Sequence, residues 1–241
     1  MGAVNYGDLS SILAETALDE AKAIVALKKA KKGKSKEQCD AMDFFSENII
    51  GSKKGCLGSK NHIISLNEYQ KRVANMCNKF NVRARAIEKI GLDESEISEI
   101  PPICLSSYVF DDDVSIKIVD GVAVSSQYCV SWIFFSTTQM YTYTFTFDMI
   151  SDNTWEVTND FFYQDITCFT TESKIVEKIV VVPGKGCLRR KSSALKQNYV
   201  VDTLQIIVPN SSYRVSIRDA GSQANSIQAA KAMLRERKFI K

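Results

Sequence analysis

The run Trp132 to Asp148, WIFFSTTQMYTYTFTFD, constrains the fold of this chain more than any other feature. In its second half aromatic side chains alternate with threonines: Tyr141, Tyr143, Phe145 and Phe147 are separated by Thr142, Thr144 and Thr146. Strict period-two alternation of aromatic and β-branched residues is typical of a strand with one buried and one solvated face. The run therefore predicts amphipathic strands in an antiparallel sheet.

The rest of the C-terminal half also has the pattern of strands separated by turns. Strands are expected at residues 106–110, 114–119, 122–124, 128–136, 140–148, 161–171, 175–182, 199–208 and 213–218. Turns are expected at Asp120-Gly121, Asp152-Asn153 and Asn159-Asp160, because these residues bond to their own backbone or tolerate positive φ. A final amphipathic helix carries Ile227, Ala230, Met233 and Leu234 on one side. We expect a meander that closes into a small barrel or sandwich, since a long aromatic edge would promote aggregation.

The N-terminal third has the three- to four-residue apolar spacing of helices, at residues 8–32, 35–49 and 65–91. Ser35 with Gln38, and Ser65 with Glu68, form capping-box patterns. Asn81 is expected to interrupt the third helix, and Pro101-Pro102 ends the helical part. The fold class is therefore α+β, with a helical region at residues 1–100 and a β domain with its C-terminal helix at residues 101–241.

Composition excludes several protein classes. Only four prolines and 24% charged residues exclude a disordered or fibrous chain. The longest apolar stretches fall far short of the roughly 20 residues of a membrane-spanning helix. The first residues lack the basic start and apolar core of a secretory signal. Seven scattered cysteines without a C-x-x-C pair indicate reduced thiols rather than a zinc site or a disulfide framework. We therefore expect a cytoplasmic protein with no transmembrane segment.

Charge is distributed unevenly along the chain. Residues 1–91 hold 16 Lys and Arg against 10 Asp and Glu, whereas the remainder holds 15 against 18. Six lysines are clustered where the first predicted helix ends: Lys28, Lys29, Lys31, Lys32, Lys34 and Lys36. Such an excess favours an acidic partner, nucleic acid or anionic lipid. No aromatic residue for base stacking lies among these lysines, which makes nucleic acid an improbable partner.

The candidate catalytic residues are not accompanied by the partner residues that catalysis requires. His62 is the only histidine, and no G-x-S-x-G or H-E-x-x-H pattern accompanies it. The run Asp111-Asp112-Asp113 is expected to form an acidic hairpin tip, because successive strand residues point to opposite faces. Asp148, Asp152 and Asp160 fall at predicted turns, and Asp165 interrupts an aromatic strand, where a structural role is favoured over catalysis. The expectation is a protein that is not an enzyme and has no cofactor or metal.

Two segments mix glycine with lysine, GSKKGCLGSK at residues 51–60 and PGKGCLRRKSS at residues 183–193. Neither fits the phosphate-binding pattern G-x-x-x-x-G-K-[ST]. The second segment is predicted to connect two strands. Its basic residues, Lys185, Arg189, Arg190 and Lys191, are the candidate contacts for an anionic headgroup or an acidic partner, with a solvated basic loop as the alternative.

Several segments together resemble a family of bacterial proteins whose role is uncharacterised. They are AIEKIGLDESEISEIPP (86–102), YVFDDD (108–113), the aromatic run, FFYQDIT (161–167), VPNSSYRVSI (208–217) and IQAAKAMLRERK (227–238). In that family the second half looks like a bacterial pleckstrin-homology (PH-like) domain. The resemblance implies an antiparallel, split β-barrel of about seven strands with one end closed by the C-terminal helix, and it carries over no active-site residue.

The function expected from these observations is a non-catalytic intracellular binding or adaptor module. A protein partner is expected to contact the barrel loops and the basic helical region. One alternative is a peripheral membrane module that binds anionic lipid headgroups through the basic loop. Another is a hydrolase or transferase built around an unrecognised site.

Overall fold

The computed structural model describes residues 20–50, 63–93, 101–111, 113–182, 193–217 and 220–238. The described helices are α1 (Glu20–Ala30), α2 (Lys36–Ile50), α3 (Leu66–Phe80), α4 (Val82–Ile90) and α5 (Ala220–Lys238). The strands are β1 (Ile103–Tyr108), β2 (Ile116–Val119), β3 (Val122–Ser125), β4 (Gln127–Phe135), β5 (Gln139–Asp148), β6 (Thr154–Phe162), β7 (Cys168–Val182), β8 (Ser193–Val208) and β9 (Ser211–Ile217). Helices and antiparallel sheets together confirm the α+β class.

The helix ends follow the predicted capping residues. Ser35 and Gln38 exchange both capping-box bonds, the Gln38 amide donating to Ser35 Oγ at 3.2 Å and the Ser35 amide to Gln38 Oε1 at 2.9 Å. Ser65 Oγ accepts from the amide of Glu68 at the start of α3. Asn81, in the left-handed region at φ 45°, separates α3 from α4. These caps satisfy amides that the first helical turn would otherwise leave unpaired.

The strands form three antiparallel sheets, with the orders β1-β4-β5-β6, β2-β3 and β7-β8-β9. The turn between β2 and β3 is Asp120-Gly121, as predicted, and both residues have positive φ, at 51° and 79°. Two adjacent positive φ values are typical of the tight turn that matches strand twist.

One predicted turn is wrong. Asn159 and Asp160 lie inside β6 and pair with Thr142 and Tyr141 of β5. This segment is polar because β6 is an edge strand. A polar segment of this kind has the composition of a turn, which explains the wrong prediction. The predicted strand at 161–171 is correspondingly divided by a short 3-10 turn, Tyr163–Asp165, between β6 and β7.

The four-stranded sheet packs against other elements on both faces, although its edge strand β6 leaves Trp155 and Val157 exposed. Its first face packs against the helices, where Tyr128, Tyr143, Phe145 and Phe147 share one core with helical residues that include Phe44, Phe45, Tyr69 and Val82. Its second face packs against β8, β9 and α5. That second core unites Leu105, Ile133 and Met140 with Leu204, Ile206, Val215, Ile227 and Leu234. The helical region thus packs directly on the sheet.

The expectation of one solvated face on the aromatic run is therefore wrong. Thr142 is fully buried, and Thr144 Oγ1 lies 2.8 Å from Ser131 Oγ and 2.7 Å from the hydroxyl of Tyr213 in β9. The threonines face the second sheet instead of water. Their hydroxyl groups remain hydrogen-bonded, which is the condition for burying them without a large penalty.

The predicted single meander is also corrected in part. The described strands do not form one closed barrel, because the four-stranded and three-stranded sheets share no hydrogen-bonded ladder. β1 and β9 nevertheless lie side by side. β7 and β8 are long, and their pairing continues as far as Val182 and Ser193. β9 is shorter, and its pairing with β8 ends at Asp202. Their outer half is a two-stranded ribbon that contacts α2.

Candidate functional site

Several predicted site residues lie outside the described residues. These are His62, Asp112, the glycine-lysine segment at 51–60 and the four basic candidates Lys185, Arg189, Arg190 and Lys191. The contact role assigned to the basic residues stays a prediction.

The predicted acidic residues are scattered over the molecule. Asp111, Asp113, Asp152, Asp160 and Asp165 are exposed. Asp152 lies in the β5–β6 turn as predicted, and its carboxylate accepts a hydrogen bond from Gln38 at 2.8 Å. Asp165 ends the 3-10 turn rather than interrupting a strand. Across the described part of the chain, no three Asp, Glu, His or Cys side chains are arranged to hold a metal ion.

Asp148 is the one predicted acid that is buried. Its carboxylate accepts from the amide of Ile150 at 3.0 Å and from Ser151 Oγ at 3.1 Å, so it organises the β5–β6 turn. Burial raises the pKa of this carboxyl above the ordinary value, while the two hydrogen bonds oppose the shift. No other acid within the described residues is paired with it, and its role is that of a turn residue.

Three of the described cysteine thiols are poor nucleophiles because their pKa is raised. Burial raises the pKa of Cys77 and Cys104 to about 11 and that of Cys129 to about 12. A thiol with such a pKa is almost entirely protonated at neutral pH. Cys39, Cys77, Cys104, Cys129 and Cys168 are all free.

A first groove of about 720 Å³ lies between α2, the start of α3 and the β2–β3 hairpin. Lys117 extends into its wall with a side chain only 7% exposed. Its ammonium donates to the carbonyl of Phe44 at 2.8 Å and to Glu47 Oε2 at 2.6 Å, and it lies 4.0 Å from the centre of the Phe44 ring. Lys117 therefore has its own counterion and binds the hairpin to α2. Ile63, which also lines the groove, directly follows residues outside the described part of the chain.

A second groove, of about 370 Å³, lies between the start of β7 and α5, and we call it the β7–α5 groove. One wall is formed by Tyr163, Ile166, Thr167, Cys168 and Phe169, and the other by Lys231, Leu234 and Arg235. Ile166 and Leu234 are buried and belong to the second core, so the floor is apolar. Lys231 and Arg235 are one helical turn apart and place two positive charges along one rim.

The strand that borders this groove has an open edge. β7 is the outermost strand of its sheet and pairs only with β8 among the described residues. From Cys168 to Lys174 its residues are exposed or half-buried. An edge strand presents a row of backbone amides and carbonyls that a further strand can pair with. The β7–α5 groove thus combines an unpaired backbone edge, an apolar floor and a basic rim.

Sequence reasoning did not find this groove. Lys231 and Arg235 were visible as a basic pair four residues apart beside the apolar stripe of the last helix. Their significance depends on β7 lying opposite them, which a helical pattern alone does not reveal.

None of the described helices combines the length and apolar character needed to cross a membrane. The chain matches no protein-family model, no curated protein and no solved structure.

Proposed function

We propose that the protein is a non-catalytic binding module whose β7–α5 groove accepts an extended acidic segment of a partner protein. The observation that carries this proposal is the open edge of β7 beside Lys231 and Arg235. An extended peptide that adds to a sheet edge gains main-chain hydrogen bonds, and the adjacent groove selects alternate side chains.

The groove defines the chemistry of this segment. Phe169 and Leu234 offer an apolar surface to one peptide side chain, while Lys231 and Arg235 favour carboxylates on the neighbouring residues. The exposed stretch Cys168–Lys174 spans seven residues, or about 23 Å of extended chain. The peptide that fits is therefore short, extended and acidic, with at least one apolar residue.

We also propose that the two larger sheets and α5 form a split, PH-like barrel. Supporting this, β1 and the consecutive strands β4 to β6 form one sheet, the consecutive strands β7 to β9 form the next, and a helix completes the domain. The lateral approach of β1 to β9 agrees with a barrel that is closed on one side and open between β6 and β7. A cytoplasmic location agrees with free cysteines that remain reduced there.

Selection from a random dodecapeptide display library, with the full chain as bait, tests the proposal. We expect enrichment of peptides that contain several Asp or Glu residues and an apolar residue. The double variant Lys231→Gln with Arg235→Gln removes both rim cations. It should weaken binding of the selected peptides at least tenfold, because each charge-assisted contact contributes about 1 kcal/mol or more.

The matched control is Lys71→Gln with Lys79→Gln, which removes the same charge from an exposed part of α3. This variant should bind the peptides like the unmodified protein. Selected peptides without an acidic excess, or equal weakening by both variants, would contradict the proposal.

A further inference from the structure

A lysine-rich surface lies on the side of the helical layer that faces away from the sheet. In α1, Leu27 is buried in the first core, while Val25, Lys28 and Lys29 are exposed on the opposite side. Lys32, in the turn that follows α1, and Lys36, at the start of α2, are also exposed. We call the set Val25, Lys28, Lys29, Lys32 and Lys36 the α1 basic face.

The lysines of this face differ from the two that lie between them. Lys31 is half-buried and pairs with Asp43, and Lys34 is half-buried and influences Asp148 electrostatically. Lys28, Lys29, Lys32 and Lys36 form no ion pair with any residue that the structure describes. The fold thus satisfies the inward-facing lysines and leaves a cluster of outward-facing ones.

Stabilisation of the helices explains the positions of only some of the lysines in the α1 basic face. Lys28 and Lys29 occupy the last turn of α1, where the helix dipole favours cations. Lys36, by contrast, is the first residue of α2, where the dipole disfavours a cation, and Lys32 lies in the turn between the two helices. These lysines have no counterion within the described part of the chain, which points to an external, negatively charged ligand.

We propose that the α1 basic face adsorbs to a bilayer that contains anionic lipid. Lysines at such a surface are attracted by its negative potential, and each adds to the binding energy. Val25, which is 66% exposed among the lysines, adds an apolar contact that a bilayer interface accepts and a nucleic-acid backbone does not. The face has no aromatic residue for stacking on bases and no Arg, Asn or Gln to contact base edges.

The experiment is co-sedimentation of the full chain with phosphatidylcholine vesicles, with or without 30% phosphatidylserine, at low and at physiological salt. We expect sedimentation only with phosphatidylserine and weaker binding at higher salt. The triple variant Lys28→Gln, Lys29→Gln and Lys32→Gln should lower the partition coefficient at least tenfold. The control triple, Lys71→Gln, Lys79→Gln and Lys196→Gln, removes three exposed charges elsewhere and should bind like the unmodified protein.

Two further arms identify the source of the attraction. Val25→Gln should weaken vesicle binding without changing the weak attraction to a double-stranded DNA probe. A variant of the predicted basic loop, with Lys185, Arg189, Arg190 and Lys191 all changed to Gln, should retain most vesicle binding. The proposal is overturned by any of three results: no phosphatidylserine-dependent binding, tighter binding to DNA than to vesicles, or a loss confined to the loop variant.

Discussion

Tyr69 joins the helical layer to the β2–β3 hairpin through its hydroxyl and to β1 through a ring contact with Tyr108, and Tyr69→Phe tests whether helices and strands unfold together. Its ring is fully buried, stacks on Phe44 at 4.8 Å and contacts Phe45 edge-on at 5.2 Å. Its hydroxyl donates to the carbonyl of Ser125, at the end of β3, at 2.6 Å. Burial raises the pKa of this hydroxyl well above its ordinary value, so the group stays protonated and able to donate.

The magnitude follows from the removed bond. Tyr69→Phe keeps the ring contacts but leaves the Ser125 carbonyl without this donor in a buried site. The loss of a buried hydrogen bond with one partner left behind costs about 1.5 kcal/mol. For a chain of this length that free energy corresponds to a decrease in melting temperature of about 4 °C. Tyr69→Ala, which also removes the ring contacts, should cost about 4 kcal/mol.

Urea denaturation followed with two probes provides the assay. Circular dichroism at 222 nm reports mainly the helices, whereas tryptophan fluorescence reports the sheet, because both tryptophans, Trp132 and Trp155, lie in strands β4 and β6. Since helices and sheet share one core, both transitions should shift together. Tyr141→Phe is the control. Its hydroxyl is half-exposed and accepts from Gln139, so water replaces the lost partner and the cost should stay below about 0.5 kcal/mol.

A shift of the dichroism transition alone would refute the reasoning. Such a result would mean that residues 1–100 unfold as a unit independent of the sheet, as a boundary near residue 100 predicts in its strictest sense. A coincident shift would mean that the boundary separates two kinds of secondary structure within one cooperative unit.

Two further substitutions test individual buried charges. Lys117→Met should lower the free energy of unfolding by about 1 kcal/mol, because it removes the ammonium's hydrogen bond to the Phe44 carbonyl inside α2 while the half-exposed Glu47 regains water; urea denaturation measures this. Asp148→Asn should become more stable relative to the unmodified protein as pH rises from about 4 to 7. The raised folded-state pKa means that ionisation of Asp148 opposes folding above the ordinary pKa of Asp, and thermal melts across this pH range measure the difference. A difference in stability that moves in favour of the unmodified protein as pH rises would contradict the assignment.

Local chemistry made much of the fold predictable. The Ser35 and Ser65 caps, the interruption at Asn81 and the Asp120-Gly121 turn depend on residues within a few positions, and the structure shows each of them. Alternation also located β5 within a residue. These predictions succeeded because capping and turn formation are decided by nearby backbone groups.

The errors arose where tertiary contacts decide. Period-two alternation identifies two faces of a strand but does not show what covers each, and the Thr142 face is covered by β9 through Tyr213. On the edge strand β6, Glu156 meets the helical layer through ion pairs with Arg85 and Lys89, a contact that only the folded chain creates. The β7–α5 groove likewise requires two segments that are distant in sequence.

The two proposed surfaces lie on opposite sides of the central sheet. The helices that include the α1 basic face pack on its first face, whereas β7–β9 and α5 belong to the core on its second face. A bilayer that contacts α1 would therefore leave the β7–α5 groove open to the solvent, and a bound peptide would not occlude the lysines. This arrangement suits an adaptor that recruits an acidic segment to a membrane.

Independence of the two surfaces is itself measurable. Because the sites share no residue and belong to different hydrophobic cores, we expect a coupling free energy near zero. The affinity of a display-selected acidic peptide should therefore be the same within about twofold, with and without saturating phosphatidylserine vesicles. Fluorescence anisotropy of the labelled peptide measures this, with phosphatidylcholine vesicles as the control. Competition between vesicles and peptide would show that both ligands use the same basic surface and would contradict the assignment of Lys231 and Arg235 to a separate site.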